Sequence, residues 1–184
     1  MSTPAPPAAG PSRRFIVTVG VAILLLSALP WLFSVNQTQS VAPGVYFTPP
    51  IWTPGLGELA PGDLVVACPP AGEALELALA REYVPASSAC ASGARPFLKR
   101  VLAVTGQTVL LDTSGLWIDG ERALPTPPTT DSRGRAVAPA YADLELSPGA
   151  LWLGSDAERG FDSRYLGPFQ ASDVRARAFL AIPF

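Results

Sequence analysis

Nineteen consecutive residues without a charge, Phe15 to Phe33, constrain this chain more than any other feature. As a helix such a segment is long enough to cross a bilayer core of about 30 Å. Arg13 and Arg14 precede it directly, and the next charged residue is Glu58. The basic flank of a membrane segment stays on the cytoplasmic side. The reading is therefore a cytoplasmic tail over 1–14, a transmembrane helix over 15–33 and an exported domain over 34–184. The rival reading is a removable signal sequence. The apolar run is longer than a usual signal core and no small-x-small site follows it, which favours a retained anchor.

The exported part reads as mainly β. Short apolar runs at 63–67, 97–104, 108–111, 116–118, 150–153 and 174–180 are each bounded by turn residues, as in a small antiparallel sheet or barrel. Asp119-Gly120 is a hairpin signal. Gly106-Gln107 is expected to turn the strand carrying Lys99 back on itself. Residues Glu73 to Tyr83 are rich in helix formers and lie between Cys68 and Cys90. Two cysteines on the exported side of a membrane read as a disulfide. Residues 69–94 are thus expected to be an insertion with one helix, tied at its base. A second irregular stretch, 125–140, is rich in Pro, Thr and Arg and reads as a long surface loop.

The chain has no histidine, which removes Ser-His-Asp and Cys-His catalysis and most zinc sites. No metal or cofactor is expected. A net charge of -2 gives no basic footprint for nucleic acid. Of the thirteen basic side chains only Lys99 is a lysine. It sits in the apolar run Phe97-Leu98-Lys99-Arg100-Val101-Leu102, where lost hydration lowers an ammonium pKa toward the free amine that a general base needs. Upstream, close behind the apolar segment, is Thr38-Gln39-Ser40-Val41-Ala42-Pro43-Gly44. A neutral lysine can take the proton of a serine hydroxyl and make it a nucleophile. The Ser40 amide and the Thr38 hydroxyl are candidate donors to the oxyanion that follows. Near the C-terminus comes the most charged stretch of the chain, Gly154 to Pro168, which includes Gly160-Phe161-Asp162-Ser163-Arg164-Tyr165.

Together these elements resemble the type I signal peptidases, membrane-anchored Ser-Lys endopeptidases. Ser40 with Pro43 matches the nucleophile motif, and Lys99-Arg100 in its apolar strand matches the base motif. Gly154 with Asp162-Ser163-Arg164-Tyr165-x-Gly167 matches the late box. The Ser-x-x-Pro-Gly-x-Tyr segment, Cys68-Pro69-Pro70 and Cys90 make it most similar to the conjugative-transfer, pilin-maturing peptidases of the TraF type. The resemblance implies Ser40 as nucleophile, Lys99 as general base and Thr38 as an oxyanion donor. It also implies Asp162 paired with Arg100 or Arg164, fixing the lysine strand against the late box. The family's late-box serine, which contacts the lysine amine, is matched by Gly160, so that contact is absent or supplied by Ser163 or Ser155.

The implied protein is a single-pass protein of the bacterial inner membrane, in contact with its lipid, with a periplasmic catalytic domain. It cuts an exported precursor, a pilin above all, through an acyl-enzyme, and the pilin's own N-terminus can resolve that ester to a cyclic product. Two rivals remain: a housekeeping signal peptidase, and an inactive membrane-tethered β module that serves as a scaffold in a secretion or pilus complex.

Overall fold

Alternation between apolar residues and Pro/Gly breaks the chain into short strands, and these assemble into two antiparallel sheets. The computed structural model describes residues 12–28 and 32–184. After helix α1 (Arg13–Ala28) come β1 (Phe33–Asn36), β2 (Gly44–Phe47) and β3 (Leu64–Ala67). Helix α2 (Glu73–Ala80) precedes β4 (Phe97–Ala103), β5 (Thr108–Asp112), β6 (Gly115–Ile118), β7 (Glu121–Leu124) and β8 (Ala142–Glu145). The chain ends with β9 (Ala150–Gly154), α3 (Ser163–Leu166), β10 (Phe169–Gln170) and β11 (Val174–Pro183).

The larger sheet has seven strands in the order β1-β2-β11-β3-β4-β9-β10, and the smaller has four in the order β7-β6-β5-β8. β4 lies inside the larger sheet, with Lys99 opposite Val65 of β3 and Arg100 opposite Gly154 of β9. Residues of β3, β4 and β9 such as Val65, Val101 and Leu153 are fully buried around Phe169. A second core gathers Val109, Leu111 and Leu116 of the smaller sheet against Trp152.

All six strand expectations are found, with small shifts of boundary. Asp119 and Gly120 both have positive φ, 50° and 80°, the backbone of a two-residue hairpin turn, and they join β6 to β7. One connection differs from expectation. β4 and β5 do not pair; Gly106-Gln107 passes the chain from the larger sheet to the smaller. The amide of Gly106 donates to Leu146 O, and that of Leu146 to Gln107 O. A turn signal says where a chain reverses, and only the faces to be buried decide which strand it then joins.

The expected membrane-crossing helix differs too. α1 has 16 residues, about 24 Å of helix. No helix among the described residues is long and apolar enough to cross a membrane. Phe33 already lies in β1, and part of the expected span lies outside the described residues. Most of the expected tail also falls outside the described residues.

Helix α2 occupies the expected insertion but ends at Ala80. It packs Leu75 and Ala78 against Val84 and Ala94, and Cys68 and Cys90 are joined at its base. On the exposed face of the larger sheet, Phe33, Phe47 and Phe179 are aligned across β1, β2 and β11. Their ring centroids lie 5.7 and 6.5 Å apart, and all three rings are exposed to solvent.

The disulfide closes a loop with a sequence separation of 22, for which the chain-entropy model gives about 3 kcal/mol. The Cys68→Ser/Cys90→Ser double variant is expected to lose stability of that order in urea unfolding of the folded domain. A difference below about 1 kcal/mol would contradict a stabilising cross-link.

Candidate active site

β1 and β2 pair so that Asn36 faces Gly44, and the intervening loop 37–43 carries Ser40. Pairing alone leaves that loop without hydrogen-bond partners for most of its backbone. The Asn36 side chain supplies them. Its Nδ2 donates to the carbonyls of Thr38, Val41 and Ala42 at 3.0, 3.0 and 3.2 Å. Its Oδ1 accepts from the Thr38 amide and hydroxyl at 3.1 and 2.7 Å. The buried Tyr46 hydroxyl also donates to Ala42 O, at 2.6 Å. From the other side, the Asp156 amide donates to Ser40 O at 2.8 Å. The nucleophile candidate is thus held through its backbone, with its own amide N–H bound to nothing among the described residues.

Lys99 leaves β4 on the face it shares with Phe97, whose ring centroid lies 5.5 Å from Nζ. The residue is only 4% exposed. Its Nζ lies 3.2 Å from Ser40 Oγ and 2.6 Å from Ser155 Oγ. Desolvation lowers its pKa to about 8; the Asp162 carboxylate opposes this and the Arg164 guanidinium adds to it. Burial is the largest influence, and the two charges of the pair act on the amine in opposite directions.

That pair is fully buried and bidentate. Arg164 Nε donates to Asp162 Oδ1 at 2.9 Å and Nη2 to Oδ2 at 2.8 Å. Asp162 also caps α3 by accepting the Arg164 amide, and accepts the Ser155 amide at 2.9 Å. Asp162 therefore touches neither Lys99 nor Ser40, and acts on the lysine through Ser155 and through its field. Of the two arginines expected as its partner, Arg164 is the one. Arg100 points away and pairs with Asp156 at 3.1 Å, part-exposed. Ser163 is also elsewhere: its Oγ accepts the Leu153 amide.

The question left open at Gly160 has a steric answer. A Cβ at Gly160 would lie 2.2 Å from Ser155 Oγ and 2.3 Å from its Cβ. Ser155 fills the place that a side chain at position 160 would need, so a serine at one position excludes one at the other. Thr38 is near the site, but its hydroxyl proton is committed to Asn36, leaving the Ser40 amide as the uncommitted donor. Of the two serines expected to supply the contact at the lysine amine, Ser155 is the one that makes it. Asn36 was missed, because nothing in the sequence distinguishes it from a polar strand end.

Ser40 and Lys99 open onto a cleft of about 950 Å³. β1 at the free edge of the larger sheet forms one wall, and residues from 83–97 and 128–137 form the other. An apolar cleft with a few convergent polar groups is the usual form of a substrate site.

A model of the family described as signal peptidase, peptidase S26, matches residues 12–182. The chain belongs to that family. Conjugal transfer protein TraF of Agrobacterium fabrum (strain C58 / ATCC 33970) is 36% identical over 170 residues, covering 89% of this chain and 93% of the relative. Plasmid transfer protein TraF of Escherichia coli is 29% identical over 167 residues, covering 88% and 90%. Among solved structures, a signal peptidase I from Enterococcus faecalis V583 aligns with a TM-score of 0.38 at 17% identity, over 67% of this chain and 98% of that one.

Two outcomes follow from this geometry. Asn36→Ala strips several loop carbonyls and the Thr38 donors of their partner, and is expected to cost roughly 2 kcal/mol. Hydrogen exchange should quicken in 37–43 while β4 and β9 stay protected; unchanged exchange there would refute the role. Lys99 has a folded pKa below its unfolded value, so the unfolded state binds the extra proton between about pH 8 and 10.5 and the burial penalty is complete below pH 8. Lys99→Met should therefore gain up to about 3 kcal/mol at pH 7, less the lost Ser155 contact, and that gain should shrink as pH approaches 10. Thermal melts at both pH values check it.

Proposed function

We propose that this protein is a membrane-anchored serine endopeptidase that matures an exported precursor, a pilin, with Ser40 as nucleophile and Lys99 as general base. The observation that carries the reading is the buried amine 3.2 Å from the Ser40 hydroxyl at the floor of a cleft. With the amine neutral, Ser40 Oγ attacks the scissile carbonyl carbon as its proton passes to Lys99 Nζ. The oxyanion meets the Ser40 N–H. The C–N bond then breaks, the leaving amine takes the proton from Lys99, and an ester on Ser40 remains. Water, or the precursor's own N-terminal amine, attacks this ester; the second nucleophile gives a cyclic product. Ser155 holds the amine through both halves, and Asp162 holds Ser155.

An extended precursor segment can add to the open edge of β1, which places a backbone carbonyl near Ser40. The lipid partner is supported by α1 with Arg13 and Arg14 at its start, and by the exposed Phe33, Phe47 and Phe179 close behind it. In this reading α1 belongs to the anchor, the N-terminus is cytoplasmic and the domain after it periplasmic. The pilin substrate rests on the conjugal-transfer relatives.

The test is processing of a co-expressed pilin precursor, with covalent labelling of Ser40 by a serine-reactive lactam located by mass spectrometry. Ser40→Ala and Lys99→Arg should both be inactive, the latter because a guanidinium stays protonated. The rate of the native enzyme should rise with pH through about 8 and level above it, since about a tenth of the amine is neutral at pH 7. Substantial activity in Lys99→Arg, or a label on another residue, would sink the assignment.

A further inference from the structure

Two segments outside both sheets, 69–94 and 125–140, meet at one wall of the cleft. The Tyr83 hydroxyl, just past α2, donates to Asp131 in the 125–140 loop. Asp131 also accepts the amides of Arg133 and Arg135, both at 2.8 Å, and Arg135 Nε at 2.6 Å. Arg81 Nη1 donates to Ala136 O at 2.7 Å, and Tyr165 in α3 donates its hydroxyl to Pro128 O at 2.7 Å. Burial alone would raise the Asp131 pKa, but its hydrogen bonds from Tyr83, Arg135 and Arg133 hold the carboxyl far below the usual range. Among the described residues the one carboxylate lining the cleft is thereby ionised and fully engaged.

Two guanidiniums on the same lining are not. Arg95 and Arg159 are exposed. Among the described residues neither pairs with a carboxylate, and Arg159 makes one long bond, 3.3 Å to Thr130 O. In a chain of net charge -2, the cleft is thus a local excess of positive charge with unused forked donors. Such donors match a carboxylate in two-point geometry.

We infer that Arg95 and Arg159 form a carboxylate-recognition subsite, which selects precursors carrying an acidic group near the cleaved bond. This rests on the peptidase reading. The clasp between Tyr83 and Asp131 gives the subsite a fixed wall and removes the competing internal carboxylate. The carboxylate can come from a side chain or from the end of a chain cut close to its C-terminus.

The experiment uses the full chain in neutral detergent and internally quenched peptides of one Ala-rich sequence. Single Glu, Gln or Lys residues are scanned over five positions on each side of the cleaved bond, with C-termini free or amidated. Glu at one or two positions, or a free C-terminus, should raise kcat/KM about tenfold over its neutral counterpart, a usual worth for one guanidinium–carboxylate contact that is partly desolvated. The scan position that responds identifies a side-chain source, and a response to amidation alone identifies the C-terminus. In Arg95→Gln/Arg159→Gln the Glu-to-Gln ratio should fall to about one. In Arg95→Glu/Arg159→Glu the preference should turn to Lys, an inversion that a loosened wall alone does not produce. Equal cleavage of Glu and Gln peptides at every position with no amidation effect, or a preference that survives the double Gln variant, overturns the subsite. Cleavage of no peptide by the native chain overturns the peptidase reading, and the subsite with it.

Discussion

The buried pair of Asp162 and Arg164 supports the rest of the site. Two charges without solvent exposure are tolerated because the contact is bidentate and the other polar atoms of the pair find partners, Arg164 Nη1 being the exception. Removing one member of such a pair typically costs about 3–5 kcal/mol, because the other charge is left buried alone. Here the pair also caps α3, holds the Ser155 amide, and reaches back through Arg164 Nη2 to the carbonyls of Ala157 and Gly160. The Arg164 carbonyl accepts the Ala140 amide, so the end of the 125–140 loop hangs from the same point. Ser155, the turn behind it and one wall of the cleft are therefore one mechanical unit.

Lys99 reaches that unit from the other direction. β4 is fixed inside the larger sheet by β3 and β9, and the Arg100–Asp156 contact spans from the base strand to the late box. Asp156 in turn gives its amide to the Ser40 carbonyl. An exposed ion pair of this kind contributes little to stability. Its consequence is positional, because it places the carbonyl of the candidate nucleophile and the strand of the candidate base against the same residue. Burial is the main cause that lowers the Lys99 pKa; Asp162 opposes it and Arg164, paired with Asp162, adds to it.

Much of this was legible in the sequence. Short apolar runs bounded by turn residues marked the central strands, since strands covered on both sides, such as Ala150–Gly154, are apolar throughout. The singular lysine in an apolar run announced a desolvated amine, and the order of serine, lysine and acidic box marked the site. β1 and β8 were missed although Phe33-Ser34-Val35-Asn36 and Ala142-Asp143-Leu144-Glu145 both alternate, because four residues with only two apolar positions are too short a run to mark a strand by themselves. The pairing of β5 with β6 and β8 rather than with β4 depends on which apolar faces meet, and local patterns do not hold that information. The Ser155 contact was undecidable because Ser155 and Ser163 flank one turn, and the Asp162 partner because Arg100 and Arg164 both belong to segments packed at the site. Which of them points inward depends on a φ/ψ sequence rather than on residue type.

The exchange between Gly160 and Ser155 shows why position in a motif and position in space have to be read separately. A hydroxyl beside the lysine amine is the physical requirement: it fixes a flexible four-carbon side chain that would otherwise lose the Ser40 contact. Two backbone positions in one tight turn can deliver it, and the space between them holds only one side chain beyond Cα. Once Ser155 delivers the hydroxyl, any side chain at 160 collides with it, so glycine there follows from the serine at 155. A motif comparison sees a lost serine at 160, whereas the geometry shows the same hydroxyl supplied from five residues earlier, held by the Asp162 carboxylate through the Ser155 amide. While Ser155 is in place, a side chain cannot be restored at 160 by itself without displacing the hydroxyl that holds the lysine.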